Sequence, residues 1–114
     1  MDISSIKNTR EFFWTNRSKY KLLQYGLSPT TIKSVIRRPD RTETGIAPKT
    51  TAVMKRKDTK KTKREVWVML QSRIKNQRSM INNSKTKIIS AWIYPGVSPK
   101  GKDIYVPEDV WKEL

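Results

Sequence analysis

Residues 64–72 read REVWVMLQS, and the alternation within this stretch decides the fold class. Successive side chains of a β-strand point to opposite faces of a sheet, so Val66, Val68 and Leu70 share one face. The other face carries Glu65, Trp67, Met69 and Gln71. The aliphatic face suits packing under helices, which predicts a sheet layered against helical segments.

The flanking sequence supplies those helices and further strands. A helix is predicted from its N-cap Thr15 to Gly26, and a second from Ser28 and Pro29 to Pro39. Other strand-like segments are Arg41 to Thr44, Thr50 to Lys57 and Lys87 to Tyr94, with Phe12-Phe13-Trp14 either a short strand or an entry into the first helix. We expect an α+β fold with two N-terminal helices packed on an antiparallel sheet of three to four strands, and a short C-terminal helix.

Three regions divide the chain. We expect a flexible N-terminus over residues 1–11, an α+β domain over 12–94, and a Pro-containing tail with a short helix over 95–114. The length of 114 residues leaves no room for a second domain.

The charge points to a polyanionic partner. Lys and Arg number 25 against 10 Asp and Glu, which gives a formal net charge of +15, and the chain has no His and no Cys. A partner that relieves this repulsion is most simply nucleic acid. Without His or Cys the chain lacks the usual ligands of zinc and iron-sulfur sites, so we expect no metal and no cofactor. We also expect a cytoplasmic protein without a membrane partner, because no apolar run is long enough for a span.

The aromatic face of the sheet is a candidate site for unpaired bases. Strand alternation places Ile89, Ala91 and Ile93 on the aliphatic side and Ile88, Ser90, Trp92 and Tyr94 on the other. Trp67, Trp92 and Tyr94 would then form an open platform on which bases stack. The alternative is that the tail, through Trp111, covers these rings and makes them a second small core.

Basic side chains provide candidate phosphate contacts. Residues 55–64 hold seven Lys or Arg and one Asp, at the place where two strands are joined by a turn. The candidate nucleic-acid-binding residues are Arg37, Arg38, Arg41, Lys55, Arg56, Lys57, Lys60, Lys61, Lys63, Arg73, Lys75, Arg78, Trp67 and Trp92. The plainer interpretation of such a charge run is a solvated loop.

Catalysis without His would use other side chains. A 2′-OH can be activated by Lys, Tyr or Glu, and Arg can stabilise the charge on a pentacoordinate phosphate. The candidates for a metal-independent ribonuclease site are Arg64, Glu65, Lys87 and Tyr94, with Arg56 beside them. The alternative is that these Lys and Arg residues hold phosphates without cleaving them.

Several short motifs occur in the order found in a known toxin superfamily. They are Phe12-Phe13-Trp14-Thr15, Tyr25-Gly26-Leu27-Ser28 at a helix end, and the strand Lys87-Ile88-Ile89-Ser90-Ala91-Trp92. Residues 12–94 resemble the BrnT-type toxins, distant relatives of the RelE-like ribonuclease toxins. Tyr25 stands where that family has His, and Trp92 where it has Arg. The resemblance implies an RNA-binding protein with endoribonuclease activity, and an acidic antitoxin protein as partner.

Two other functions fit the same residues. One is a non-catalytic nucleic-acid-binding protein that uses a basic, aromatic sheet face. The other is a module that docks on an acidic protein, with aromatic anchors and an arginine rim.

Overall fold

The computed structural model describes residues 6–46, 49–72, 86–99 and 104–113, and within these ranges it has one five-stranded sheet and three helices. The strands are β1 (Phe12–Trp14), β2 (Arg41–Thr44), β3 (Thr51–Arg56), β4 (Arg64–Ser72) and β5 (Thr86–Pro95). The helices are α1 (Asn16–Tyr25), α2 (Pro29–Arg37) and α3 (Glu108–Glu113). The strand order across the sheet is β1-β5-β4-β3-β2.

The predicted α+β class is confirmed, with one difference in the sheet. Strands β2 to β5 form an antiparallel meander, as expected. Strand β1 adds a fifth, parallel strand beside β5, with Phe12 opposite Thr86. The two helices therefore lie between β1 and β2 in the chain, and the sheet is mixed because its first strand pairs with its last.

Local signals fix the ends of α1 and α2. The Thr15 hydroxyl accepts a hydrogen bond from the Ser18 N–H at 3.1 Å. Gly26 ends α1 in the left-handed conformation (φ 67°), and the Leu27 N–H donates to the Leu22 carbonyl, as in a Schellman motif. Ser28 caps α2 in the same way as Thr15 caps α1, with Pro29 in the first position. None of the three described helices is long and apolar enough to cross a membrane.

Both faces of the sheet are covered. The first core lies under α1 and α2 and contains Ile6, Phe12, Trp14, Leu22, Leu27, Ile32, Val35, Val53, Val66, Val68, Leu70, Ile88 and Ala91. The second core lies on the opposite face and contains Ala52, Met54, Trp67, Met69, Trp92, Val106 and Val110. Val106 and Val110 come from the tail, so the tail closes the face that the sequence left open.

A β-bulge changes the alternation of β5. Met69 pairs with Ser90 and Leu70 pairs with Ile88, which leaves Ile89 as an extra residue. Ile88 therefore joins the first core, and Ile89 packs against the second. The predicted faces of these two isoleucines were wrong, because alternation holds only where the pairing is uninterrupted.

The expectation of a flexible N-terminus is wrong from Ile6 onward. Ile6 is 2% exposed and belongs to the first core. The Trp14 N–H donates to the Asn8 side-chain oxygen at 2.8 Å, and the Phe12 N–H donates to the Thr9 hydroxyl at 3.2 Å. These bonds fold residues 8 and 9 back on β1, while residues 1–5 lie outside the described ranges.

Candidate nucleic-acid interface

The loop between β3 and β4, residues 57–63, has a hydrogen-bonded structure. The Lys57 N–H donates to the Arg64 carbonyl at 3.0 Å, which extends the hairpin beyond β3. At the tip, the Thr59 N–H donates to the Thr62 carbonyl at 2.8 Å, and the Thr62 N–H donates to the Thr59 hydroxyl at 3.0 Å. The loop is therefore a turn of defined shape that projects from the end of the sheet.

The lysines of this loop face solvent while its one acid is used internally. Lys60, Lys61 and Lys63 are exposed. The Asp58 carboxylate accepts from the Arg64 N–H and from the Arg56 guanidinium, each at 3.0 Å. Within the described ranges, no carboxylate lies within ion-pair distance of these three lysines, so their charge is left for an external anion.

The end of α2 adds cations beside the hairpin. Arg37 and Arg38 are exposed, and the Lys55 ammonium donates to the Arg38 carbonyl at 2.9 Å, which places the helix end against β3. Lys55 pairs with Val66 of the first core, so it lies on the helix side of the sheet, as Arg64 does by alternation. We define the basic end as Arg37, Arg38, Lys55, Lys57, Lys60, Lys61, Lys63 and Arg64.

Arg41 and Arg56, both predicted phosphate contacts, bind the protein itself. The Arg41 side chain is 8% exposed and lies over the Trp67 ring, with its guanidinium carbon 5.3 Å from the ring centroid. Its guanidinium donates to the Ser98 hydroxyl at 2.8 Å and to the Pro99 carbonyl at 3.2 Å. Arg56 donates to Glu65 at 2.9 Å and to the Gly96 carbonyl at 3.1 Å. Both arginines hold residues 96–99, which we call the strap, against the sheet.

Glu65, a predicted catalytic residue, is the centre of that arrangement. It is 1% exposed, and each carboxylate oxygen accepts two hydrogen bonds. Oε1 accepts from the Trp67 indole at 2.9 Å and the Ser98 hydroxyl at 2.6 Å, and Oε2 accepts from Arg56 at 2.9 Å and the Ser98 N–H at 3.0 Å. Four donors fill the acceptor sites of a carboxylate, so Glu65 has none left for a substrate proton.

The donors also set the ionisation of Glu65. Burial raises the pKa of Glu65, but the hydrogen bonds from Ser98, Arg56 and Trp67 outweigh burial and hold the pKa below its ordinary value. The carboxylate therefore stays ionised at neutral pH. In this ionised state the carboxylate holds the strap against the sheet, so the role of Glu65 is structural.

The open aromatic platform is absent from the described structure, and its expectation was wrong. Trp67 and Trp92 are 0% exposed and stack on each other, with ring centroids 6.3 Å apart and planes 6° apart. Val106 and Val110 cover them, whereas Trp111 is 55% exposed and is not the covering residue. The alternative of a second core is the arrangement found. The positive φ of Gly96 (98°) at the end of β5 lets the chain begin its return across this face.

The remaining predicted catalytic residues do not lie together in one site. Tyr94 lies opposite Glu65 in the sheet and packs edge-on against Tyr105 at 5.4 Å. Arg64 points to the other face and donates from Nε to the Lys57 carbonyl at 2.9 Å. Lys87 lies opposite Gln71. A strand rises about 3.3 Å per residue, so Lys87 is roughly 20 Å from Tyr94 along β5.

Tyr25, which the sequence resemblance aligns with a histidine, is the last residue of α1. It is half-buried and packs against both cores. Burial raises the pKa of its phenol, and the neighbouring Asp109 and Tyr105 raise it further. Tyr25 is therefore neutral at neutral pH and does not replace an imidazole base.

Some predicted contacts lie outside the described residues, and others were missed. Arg73, Lys75 and Arg78 fall within 73–85, which the structure does not describe. Ser98 was not singled out in the sequence, where it lies beside Pro99 in the Pro-containing tail. Among the residues that are described, no three His, Cys, Asp or Glu side chains group together as metal ligands would.

Comparisons with known proteins give no match, whether with protein-family models, with curated proteins or with solved structures. The function is therefore argued from the residues of this chain alone.

Replacing Glu65 by Gln should destabilise the protein by about 2 kcal/mol. The amide nitrogen of Gln would be a donor facing other donors, and Arg56 would keep only one carboxylate partner, Asp58. Chemical denaturation monitored by tryptophan fluorescence measures the change. Glu11→Gln is the control: its side chain is 63% exposed in a 3.5 Å pair with Arg37, so its effect should stay within about 0.5 kcal/mol. Equal effects of the two substitutions would contradict the role given to Glu65.

The lowered pKa of Glu65 predicts loss of stability in acid. Because the folded pKa lies below the unfolded value of about 4.3, the contribution is fully present above that value and is lost as the pH falls through the folded pKa. Asp109 acts in the same direction, since the hydrogen bond from Lys21 lowers its pKa. The free energy of unfolding of Glu65→Gln should fall less steeply with acid than that of the parent protein. Parallel pH profiles would refute this assignment.

Proposed function

We propose that this protein binds nucleic acid through the phosphate backbone, with the basic end as its contact surface. The observation that carries the proposal is the 57–63 loop, which presents Lys60, Lys61 and Lys63 to solvent while the Asp58 carboxylate is bonded to Arg56 and to the Arg64 N–H. The formal net charge of +15 supports the same conclusion for the chain as a whole.

The chemistry of this surface favours backbone contacts over base recognition. A lysine ammonium is a compact point charge that binds a phosphate without requiring a particular base, and each contact releases counterions. Arg41 and Arg56, two arginines whose planar fork could read a guanine edge, are occupied by the strap. The hydrogen-bonded loop also reduces the ordering cost of binding, because its backbone is already held in one shape. We therefore expect affinity that depends strongly on salt and weakly on sequence.

Endoribonuclease activity, with an acidic antitoxin as partner, stays a prediction. It rests on the resemblance to BrnT-type and RelE-like toxins, and its four catalytic candidates are spread over both faces and both ends of the sheet. Incubation of labelled RNA with the protein in EDTA tests it directly. An acidic antitoxin would find its complementary charge at the basic end and would compete there with nucleic acid.

The double variant Lys60→Gln/Lys61→Gln should weaken binding and reduce the slope of log K against log salt by about two, by a similar amount for unrelated sequences. Fluorescence anisotropy with short labelled RNA and DNA at several salt concentrations measures both quantities. The matched control is Lys7→Gln/Arg17→Gln, which removes two exposed charges outside the basic end and should leave the slope unchanged.

Equal losses in the two double variants would mean that net charge alone attracts the ligand, and would contradict a contact surface at the hairpin. Absence of binding by the parent protein at low salt would refute the proposed function. The docking module would then be the remaining candidate, to be sought with an acidic protein as ligand.

A further inference from the structure

We propose that the basic end takes double-stranded nucleic acid in preference to single strands, with the 57–63 loop and the end of α2 contacting phosphates on opposite sides of one groove. This inference rests on the proposed function and specifies its ligand. Three features of the described residues support it: the spacing of the cations, the position of the aromatic rings, and the fixed shape of the loop.

The cations at the two ends of this surface are well separated, with Lys57 and Arg64 between them. Arg37 and Arg38 lie at the end of α2, beside Lys55, while Lys60, Lys61 and Lys63 lie at the tip of the hairpin. The hairpin continues through the pair of Lys57 with Arg64 before it turns. With about 3.3 Å per residue, the tip lies roughly 10–15 Å beyond Lys55. A separation of this size resembles that between the phosphate rows that border a DNA major groove, about 12 Å wide.

No aromatic ring belongs to this surface. Residues 55–64 contain no Phe, Tyr or Trp, and the rings of Trp67 and Trp92 are fully buried. Proteins that bind single strands gain much of their affinity from bases stacked on exposed rings. A surface of cations alone is instead suited to the regular phosphate rows of a duplex, whose bases are already stacked on one another.

The exposed aromatic rings lie elsewhere. Tyr20 belongs to α1, Trp111 to α3, and Tyr105 to the segment before α3, with exposures of 63%, 55% and 50%. Tyr105 packs on Tyr94 of β5. It lies on the face of the second core, whereas Lys55 and the end of α2 lie on the face of the first. A nucleic-acid strand whose bases stack on Tyr105 would therefore lie on the opposite face of the sheet from the cations at the end of α2.

The backbone of the loop is held in one shape. The Thr59 and Thr62 hydroxyls bond each other at 2.7 Å, and the Asp58 carboxylate holds the start of β4. A backbone of fixed shape sets where each lysine side chain begins, which suits a stiff ligand with regular spacing better than a flexible single strand. All three features thus favour a duplex.

The test compares one labelled sequence free and annealed to its complement, as RNA and as DNA, by anisotropy in EDTA at fixed salt. We expect the annealed form to bind about tenfold more tightly or better, since single strands lack a ring to stack on here. Lys61→Gln and Arg38→Gln should each lower the salt slope on the duplex by about one. The Arg38 substitution keeps the bond from Lys55, which is to the main-chain carbonyl. Arg38→Lys should restore the slope, and Tyr105→Ala should leave duplex binding unchanged.

Three results would overturn the inference in different ways. Single strands bound as tightly as the duplex, with that binding lost in Tyr105→Ala, would show a stacking site and refute the duplex preference while leaving nucleic-acid binding intact. No binding to either form would refute the proposed function together with the inference. If Arg38→Gln leaves the salt slope of duplex binding unchanged, the end of α2 does not contact phosphate. That result would refute the two-sided geometry.

Discussion

The buried carboxylate of Glu65 is the interaction on which the second half of the fold depends. A charge that is 1% exposed is tolerated only when its oxygens are filled, and here Arg56, Trp67 and Ser98 supply the donors. These donors come from the β3–β4 hairpin and from the strap, so one side chain joins two segments that are distant in the chain. The strap leads into the segment that carries Val106 and Val110 over the tryptophan pair. The second core thus depends on an ionised group at its edge.

This constraint separates the basic residues into two classes. Arg41 and Arg56 point inward, because a guanidinium can donate several bonds in one plane and also stack on an indole ring. The lysines of the 57–63 loop point outward, where an ammonium stays hydrated. The acidic residues Asp58 and Glu65 both accept hydrogen bonds from within the protein. Among the described residues, the basic end therefore keeps Lys60, Lys61 and Lys63 exposed and without a carboxylate partner.

Local chemistry in the sequence was enough to place most elements. Thr15, Gly26 and the Ser28-Pro29 pair marked the helix ends, because caps act within a few residues. The strands β3 and β4 followed from alternation and from β-branched and aromatic composition. What the sequence did not reveal depends on contacts between distant segments: the parallel pairing of β1 with β5, the bulge at Ile89, and which tail residues cover Trp92.

The candidate site shows the same limit. Alternation correctly grouped Trp67 with Trp92, but it says nothing of what lies above a face, and the covering residue proved to be valine rather than Trp111. A run of basic letters does not distinguish Arg56, held by Glu65, from Lys61, free of carboxylates among the described residues. Whether a basic side chain is held in an ion pair depends on where its acidic partner lies in space, and only the structure gives that position.

The central claim is that cations bind the ligand while the tryptophans stay buried, and acrylamide quenching of Trp111→Phe tests it most directly. This variant keeps Trp14, Trp67 and Trp92, which are at most 2% exposed. The account predicts that acrylamide quenches the tryptophan fluorescence only weakly. It also predicts that this quenching stays the same as nucleic acid is added up to saturation. Strong quenching of the free protein, relieved by nucleic acid, would show that the rings are open and that bases stack on them, and would contradict the account.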